Sequence, residues 1–360
     1  MLGPLAMDPC KPPCGLRTTR DVHYVNEVSA VGNGDNPRAE RMRMERSWWD
    51  DATTHGLLIL VAAIWGLGWT AGRAVALGVP AGTAAWIRYA IAAACLLAYM
   101  HYRTREEEGA SLAVRLRFPE RSDLRKLLVI AFFSTALYQM FFMYGMGRTA
   151  AGDASLIITL NPVFTAILAI PFLGRPMTTR LALGLAIGAA GVVIVTGWSP
   201  NTDIPAMQRV TGDVLIMFAA LSWACSTNLV KRLLENPVER EGPAPTPLSI
   251  IVWASFFGWL MLIPIVIWET VQGGIPSVNQ TEWLWIIFLA VFSTVLSYVW
   301  FAQGVDRIGP TASATYVFLV PPFGILSGWL LLDEQLGWGL LVGFVLILAG
   351  VRMAQSASIE

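Results

Sequence analysis

Ten apolar runs, each close to the length of a membrane-crossing helix, constrain this chain more than any other feature. A bilayer core of ~30 Å takes ~20 residues of helix. Runs of that order lie at about 55–77, 82–101, 127–147, 152–173, 180–197, 211–231, 248–268, 283–303, 311–332 and 336–353. A spanning segment must satisfy its own backbone hydrogen bonds, so helices are expected. Membrane β-strands would show alternating segments of ~10 residues, and the runs do not alternate. The charged fraction is 14%, against about 25% in a soluble domain, so much of the surface is made to face lipid. The predicted fold class is an all-α integral membrane protein of ten transmembrane helices. Lys+Arg and Asp+Glu balance at 25 each, which gives no basis for a nucleic-acid partner.

Residues 1–50 are polar, with scattered Pro and Gly and no apolar signal core, and are expected to form a disordered tail. Cys10 and Cys14 in that tail match no common zinc or redox spacing, and Cys95 and Cys225 lie in apolar runs. No cofactor and no metal is expected. The distribution of cations sets the orientation. With the N-terminus in the cytoplasm, that side collects Arg38, Arg41, Arg43, Arg46, Arg103, Arg105, Arg115, Arg117, Arg121, Arg125, Lys126, Arg175, Arg180, Lys231, Arg232, Arg240, Arg307 and Arg352. The opposite loops hold Arg148 and Arg209. Both termini are therefore expected to be cytoplasmic, in a multi-pass protein of the cell membrane.

The chain also repeats itself. AFFSTAL at 131–137 returns as AVFSTVL at 290–296, an offset of 159 that continues ungapped to residue 192. It pairs Phe142 with Phe301, Arg148 with Arg307, Pro162 with Pro321 and Gly184 with Gly343. Near an offset of 158, Trp65 pairs with Trp223. The repeats are placed at 55–198 and 211–353, five helices each. Five is odd, so the second copy enters the membrane in the opposite sense, and inverted repeats of this kind serve alternating access in transporters.

The order of motifs resembles the EamA family of the drug/metabolite transporter superfamily. The first half carries AAIWGLGWTAGRA, TAAWIRYA, YGMGRTAAGDASLIITLNPVFTAILAIPFLG and LALGLAIGAAGVVIV. The second carries AALSWACSTN, AQGVDRIGPTASATYVFLVPPFGILSGWLLLDEQL and LLVGFVLILAGV. The family's acidic residue after the ninth helix stands as Asp333-Glu334, whereas the equivalent place in the first half reads Gly174-Arg175-Pro176. The resemblance implies export or exchange of amino acids or related metabolites through a cavity lined by helices 1, 3, 4, 6, 8 and 9.

Ionisable groups inside spans are costly and are the first candidates for function. Arg88, six residues into the second run, either receives a substrate carboxylate or bonds helix-end carbonyls and reaches the surface. Arg73, nearer its helix end, favours the surface. Asp153 and Asp213 are read as helix-start acids that meet the dipole. On the implied cavity helices, the candidate substrate-binding residues are Trp65, Trp69, Tyr138, Gln139, Asn161, Trp223, Asn228, Tyr298 and Tyr316, alongside Arg88. Each is alternatively a packing or helix-bridging residue. Pro162 and Pro321 are candidate hinges.

The leading expectation is a secondary transporter for a small-molecule substrate, amino-acid-like, acting as exporter or exchanger. Phosphorylated sugars or nucleotide sugars are the alternative, although such dianions favour paired cations. A non-transporting membrane sensor or scaffold is a third reading. An enzyme is not expected: His23 lies in the tail, His55 and His101 lie at helix ends, and the spans hold no reactive pair.

Overall fold

The computed structural model describes residues 37–103, 116, 118–174, 177–201, 203–235 and 245–356. Among them there are helices and no strand. Among the described residues, nine helices are long and apolar enough to cross a membrane: α1 (Ala52–Ala76), α2 (Ala81–Arg103), α3 (Asp123–Met146), α4 (Ala151–Phe172), α5 (Thr179–Gly197), α6 (Ala206–Leu234), α7 (Pro247–Gly273), α8 (Gln280–Ile308) and α9 (Ser313–Leu332). A shorter apolar helix, α10 (Trp338–Ala354), completes the ten-helix membrane fold. The chain divides into Met1–Trp49 and Asp50–Glu360, and the second unit holds the bundle. The helix that contains α1 begins at Pro37, inside the stretch expected to lack structure. Residues 1–36 lie outside the described residues, as do Arg105, Arg115, Arg117, Arg175 and Arg240.

The repeat is written into the backbone as well as the side chains. α3 passes through a π-helical stretch at Phe132–Leu137, and α8 does so at Phe288–Leu296. Both stretches end at equivalent residues. α4 carries a 3₁₀ turn at Ile158–Leu160 and α9 one at Val317–Leu319, again equivalent. Regular helix restarts at Asn161 and Val320, so Pro162 and Pro321 each sit near the start of a helical segment. There the missing N–H disturbs little. The segments then end in left-handed residues, Gly174 (φ 67°) and Asp333 (φ 55°). Asp333 adopts without a glycine what Gly174 adopts freely.

Glycine contacts between α5 and α10 show the inversion directly. A Cβ on Gly184 would lie 2.6 Å from the Gly350 oxygen, and one on Gly191 would lie 3.1 Å from the Gly343 oxygen. The repeat exchanges Gly184 with Gly343 and Gly191 with Gly350, so these two contacts are images of each other. Rising residue number in α5 meets falling number in α10, as antiparallel helices require. Small residues permit this approach, which van der Waals packing then stabilises in lipid.

Helix ends within the bundle are capped by carboxylates from elsewhere in the fold. Glu269, at the end of α7, accepts from the Gly82 and Thr83 N–H groups at 2.8 Å each. Glu334, just past α9, accepts from the Ala151 and Gly152 N–H groups at 2.6 and 2.9 Å. The orphan N–H groups of α2 and α4 thus find anions from distant segments. Asn279 and Glu282 cap α8 locally by a reciprocal box.

Candidate functional site

Arg88 is buried, with 8% of its surface exposed, and the expected escape to the surface is not taken. Its Nε and Nη2 donate to Thr294 Oγ1 at 3.4 and 3.0 Å, and its Nη1 donates to Gln139 Oε1 at 3.3 Å. Both acceptors are neutral. Gln139 is fixed in turn, since its Nε2 donates to Tyr89 Oη at 3.2 Å. The guanidinium also lies 5.6 Å from the Tyr89 ring centroid and 5.8 Å from that of Phe142. Among the described residues it has no ion-pair partner. An arginine has five N–H donors and three are engaged here, which leaves two for a ligand.

The π-helical stretches place these groups. In α8, Thr294 Oγ1 donates to Leu289 O and Ser297 Oγ to Phe292 O, each five residues back. Loosened carbonyls in such stretches accept from helices of the other half. Trp65 Nε1 of α1 donates to Ser293 O at 3.1 Å, and Ser222 Oγ of α6 donates to Phe133 O at 2.7 Å. Trp65 is thereby pinned by its only polar atom and can offer a ligand its ring alone. The halves differ at this threonine. Thr294 meets Arg88 of α2, whereas its equivalent Thr135 is covered by Gly258 of α7, where a Cβ would lie 2.3 Å from the threonine Cβ.

Around Arg88 the aromatic candidates form one connected group. Tyr138 lies 5.4 Å from Trp223 and 6.1 Å from Phe142, centroid to centroid. Tyr298 lies 6.3 Å from Trp65 and 6.4 Å from Trp223. Trp69 packs edge-on against Phe142 at 5.2 Å, and Trp65 lies tilted against Phe301 at 5.3 Å. Arg88, Trp65, Trp69, Tyr138, Gln139, Trp223 and Tyr298 are therefore brought together, with both tyrosine hydroxyls within electrostatic reach of the guanidinium. Thr294, Tyr89, Phe142 and Phe301 belong to the same group and were not among the sequence candidates.

Three candidates stand apart. Asn228 Nδ2 donates to Thr165 O and Ala224 O, both at 3.0 Å. Asn161 accepts from Thr165 Oγ1 through its backbone and side-chain oxygens at 2.9 and 3.3 Å. Asn228 thereby ties α6 to α4, whereas the bonds of Asn161 stay within α4. Tyr316 hydrogen-bonds His55, which joins α9 to the start of α1.

At the end of the bundle where α1, α3 and α9 finish, Arg73 turns inward instead of outward. Its Nε lies 3.6 Å from Glu334, and its Nη1 donates to Met146 O and Thr149 O at 3.1 and 2.5 Å. Burial holds the Glu334 carboxyl above its ordinary range, against the Gly152 and Ala151 N–H groups and Arg73, which pull it down. Asp153 stands in the first turn of α4, whose first N–H groups go to Glu334, whereas Asp213 sits two turns into α6 instead of at its start.

The sequence profile of the EamA-like transporter family matches residues 53–197 and 210–354. "Uncharacterized transporter YyaM" of Bacillus subtilis is 26% identical over 279 residues, covering 76% of this chain and 84% of that protein. A "Probable amino-acid metabolite efflux pump" of Escherichia coli is 25% identical over 302 residues, covering 82% and 92%. A "Probable terminal-alkyne amino-acid exporter" of Streptantibioticus cattleyicolor is 24% identical over 238 residues, covering 66% and 75%. A crystal structure with 16% identity superposes with a TM-score of 0.55, covering 86% of this chain and 99% of that one. At that identity the likeness concerns the fold alone.

Proposed function

This chain belongs to the EamA-like transporter family, and from that premise we propose that it exports or exchanges small amino-acid-like compounds by alternating access, with Arg88 receiving the substrate carboxylate. One observation carries the reading: a buried guanidinium held by neutral acceptors, without an ion-pair partner among the described residues, inside a ring of aromatic side chains. A buried charge is costly until it is paired, so the site favours an anionic group. The guanidinium fork suits a carboxylate. Trp65, Trp69, Tyr138, Trp223 and Tyr298 supply apolar faces for a side chain, and Gln139 orients the guanidinium.

The names of the two amino-acid exporters above support this substrate class. Phosphorylated sugars fit less well, because a dianion favours two cations, and Arg73 is engaged by Glu334. Pro162 and Pro321, beside equivalent 3₁₀ turns, are the proposed bending points, and both termini are proposed to be cytoplasmic from the excess of cations on that side.

Counterflow in proteoliposomes preloaded with a mixed amino-acid pool tests the reading. Wild type should accumulate labelled substrate, and Arg88→Ala and Trp65→Ala, correctly folded, should lose that accumulation. Absence of counterflow for every amino acid by properly inserted wild type rejects the substrate class.

A further inference from the structure

Asp153 and Asp213 lie outside the aromatic group, and the site described above leaves them without a task. Both are buried, at 0% and 2% exposed. Asp213 Oδ1 accepts from Thr149 Oγ1 at 2.5 Å. Asp213 Oδ2 and both carboxylate oxygens of Asp153 have no hydrogen-bond partner. The hydroxyls of Ser199 and Thr196 face the pair without reaching hydrogen-bond geometry to those three atoms.

The charges nearby do not balance. Arg209 is the cation facing both aspartates, but it donates to the backbone oxygens of Asn201 and Thr196 at 3.0 and 3.4 Å, and its Nε is unpartnered. Glu334, also within reach of Asp153, is matched by Arg73. Asp203, which acts on Glu334 and Arg73, is exposed to solvent. Two buried carboxylates thus share one guanidinium, leaving one surplus negative charge where an unpaired charge is most costly.

We propose that Asp153 and Asp213 form a proton-binding site that holds one proton between them. A hydronium ion delivers the proton, an O–H bond forms on one carboxylate oxygen, and water leaves. The unpartnered oxygens have room in their bonding for that hydrogen, and a single positive charge neutralises the group. Among the described residues no set of three or more His, Cys, Asp or Glu is arranged for a metal ion. On the transport reading above, this is where a pH gradient would enter the cycle. The test needs no substrate, so its outcome is separate from that of counterflow.

Infrared difference spectra of the full-length protein in liposomes, between about pH 5 and about pH 9, well above the range of free carboxylates, read the site directly. Wild type should show a carbonyl band of a buried carboxylic acid that fades at alkaline pH. Asp153→Asn and Asp213→Asn should each lose it, and Glu334→Gln should keep it. Thr149→Val retains both carboxyls and removes the donor to Asp213, so it should displace the pH at which the band fades; this arm decides the matter if either Asn variant fails to fold. A wild type without the band, or a band that survives in Asp153→Asn, overturns the proposal. A sodium-dependent rise in thermal stability without the band overturns it in favour of a monovalent-cation site.

Discussion

Arg88 and Glu334 are both buried ions, and they respond to substitution for opposite reasons. Arg88→Lys keeps the charge but loses the planar fork; it should weaken amino-acid binding about tenfold, equivalent to one hydrogen bond of ~1.4 kcal/mol, measured as the half-saturating concentration in counterflow. Glu334 already has its partner. Glu334→Ala removes the acceptor for two α4 N–H groups and strands Arg73, so thermal unfolding in detergent should show a loss on the order of 3 kcal/mol. Its pH dependence follows from the raised carboxyl. The folded state keeps this proton to a higher pH than the unfolded chain, where glutamate titrates near ~4.3. Stability contributed by the neutral form is therefore full below that value and is lost as pH rises through the higher, folded value. Glu334→Gln, a mimic of the neutral form, should remove that pH-dependent component. An unchanged stability–pH curve in Glu334→Gln would contradict this.

At the scale of helices, the contact between α5 and α10 gives a clean contrast. A Cβ on Gly350 would lie 2.5 Å from Gly184 O and 2.6 Å from Gly188 N, both backbone atoms, so the helices must separate. Gly350→Ala should destabilise the protein by about 1–3 kcal/mol, whereas Gly56→Ala, with nothing within 4 Å, should not. Thermal melting of the two variants side by side measures the difference. The helices themselves were legible because apolar length is a strong signal, and observed ends fall within a few residues of expectation, α6 starting at Ala206 instead of 211. The π-helical stretches were not legible, since FFSTAL and FLAVFSTVL satisfy α-helical composition equally well. That is why Thr294 escaped notice: its approach to Arg88 depends on a local backbone offset. Placement on the implied cavity helices singled out Trp65, Tyr138, Trp223 and Tyr298, whose rings lie near one another in the structure. It could not separate them from Asn161, whose side-chain oxygen accepts from the Thr165 hydroxyl, or from Asn228, whose amide donates to carbonyls close by. Depth carries no information on which way around the helix a side chain points.

For the whole molecule, ten helices in two opposed sets fix which loops share a face. Capping by Glu269 and Glu334 joins ends of α2, α4, α7 and α9 that parity places on one side. If the termini are cytoplasmic, an impermeant thiol reagent applied to intact cells should label Ile275→Cys, in the exposed turn between α7 and α8, and should spare a cysteine added after Glu360. The reverse pattern would invert the topology. The second consequence concerns the symmetry and its exception. In the proposed alternating-access cycle, turning the carrier would exchange the duties of α3 and α8, but no guanidinium would take the place of Arg88, because Gly258 stands against Thr135 where Arg88 stands against Thr294. On that proposal, cargo anchored at Arg88 would travel with one half, and the two facings would hold it with unequal strength, so that loading and unloading would proceed at different speeds from the two sides of the membrane. A duplicated fold whose cargo-holding guanidinium is not duplicated would then behave as a rectifier in its kinetics, while the gradient alone would still fix the final balance.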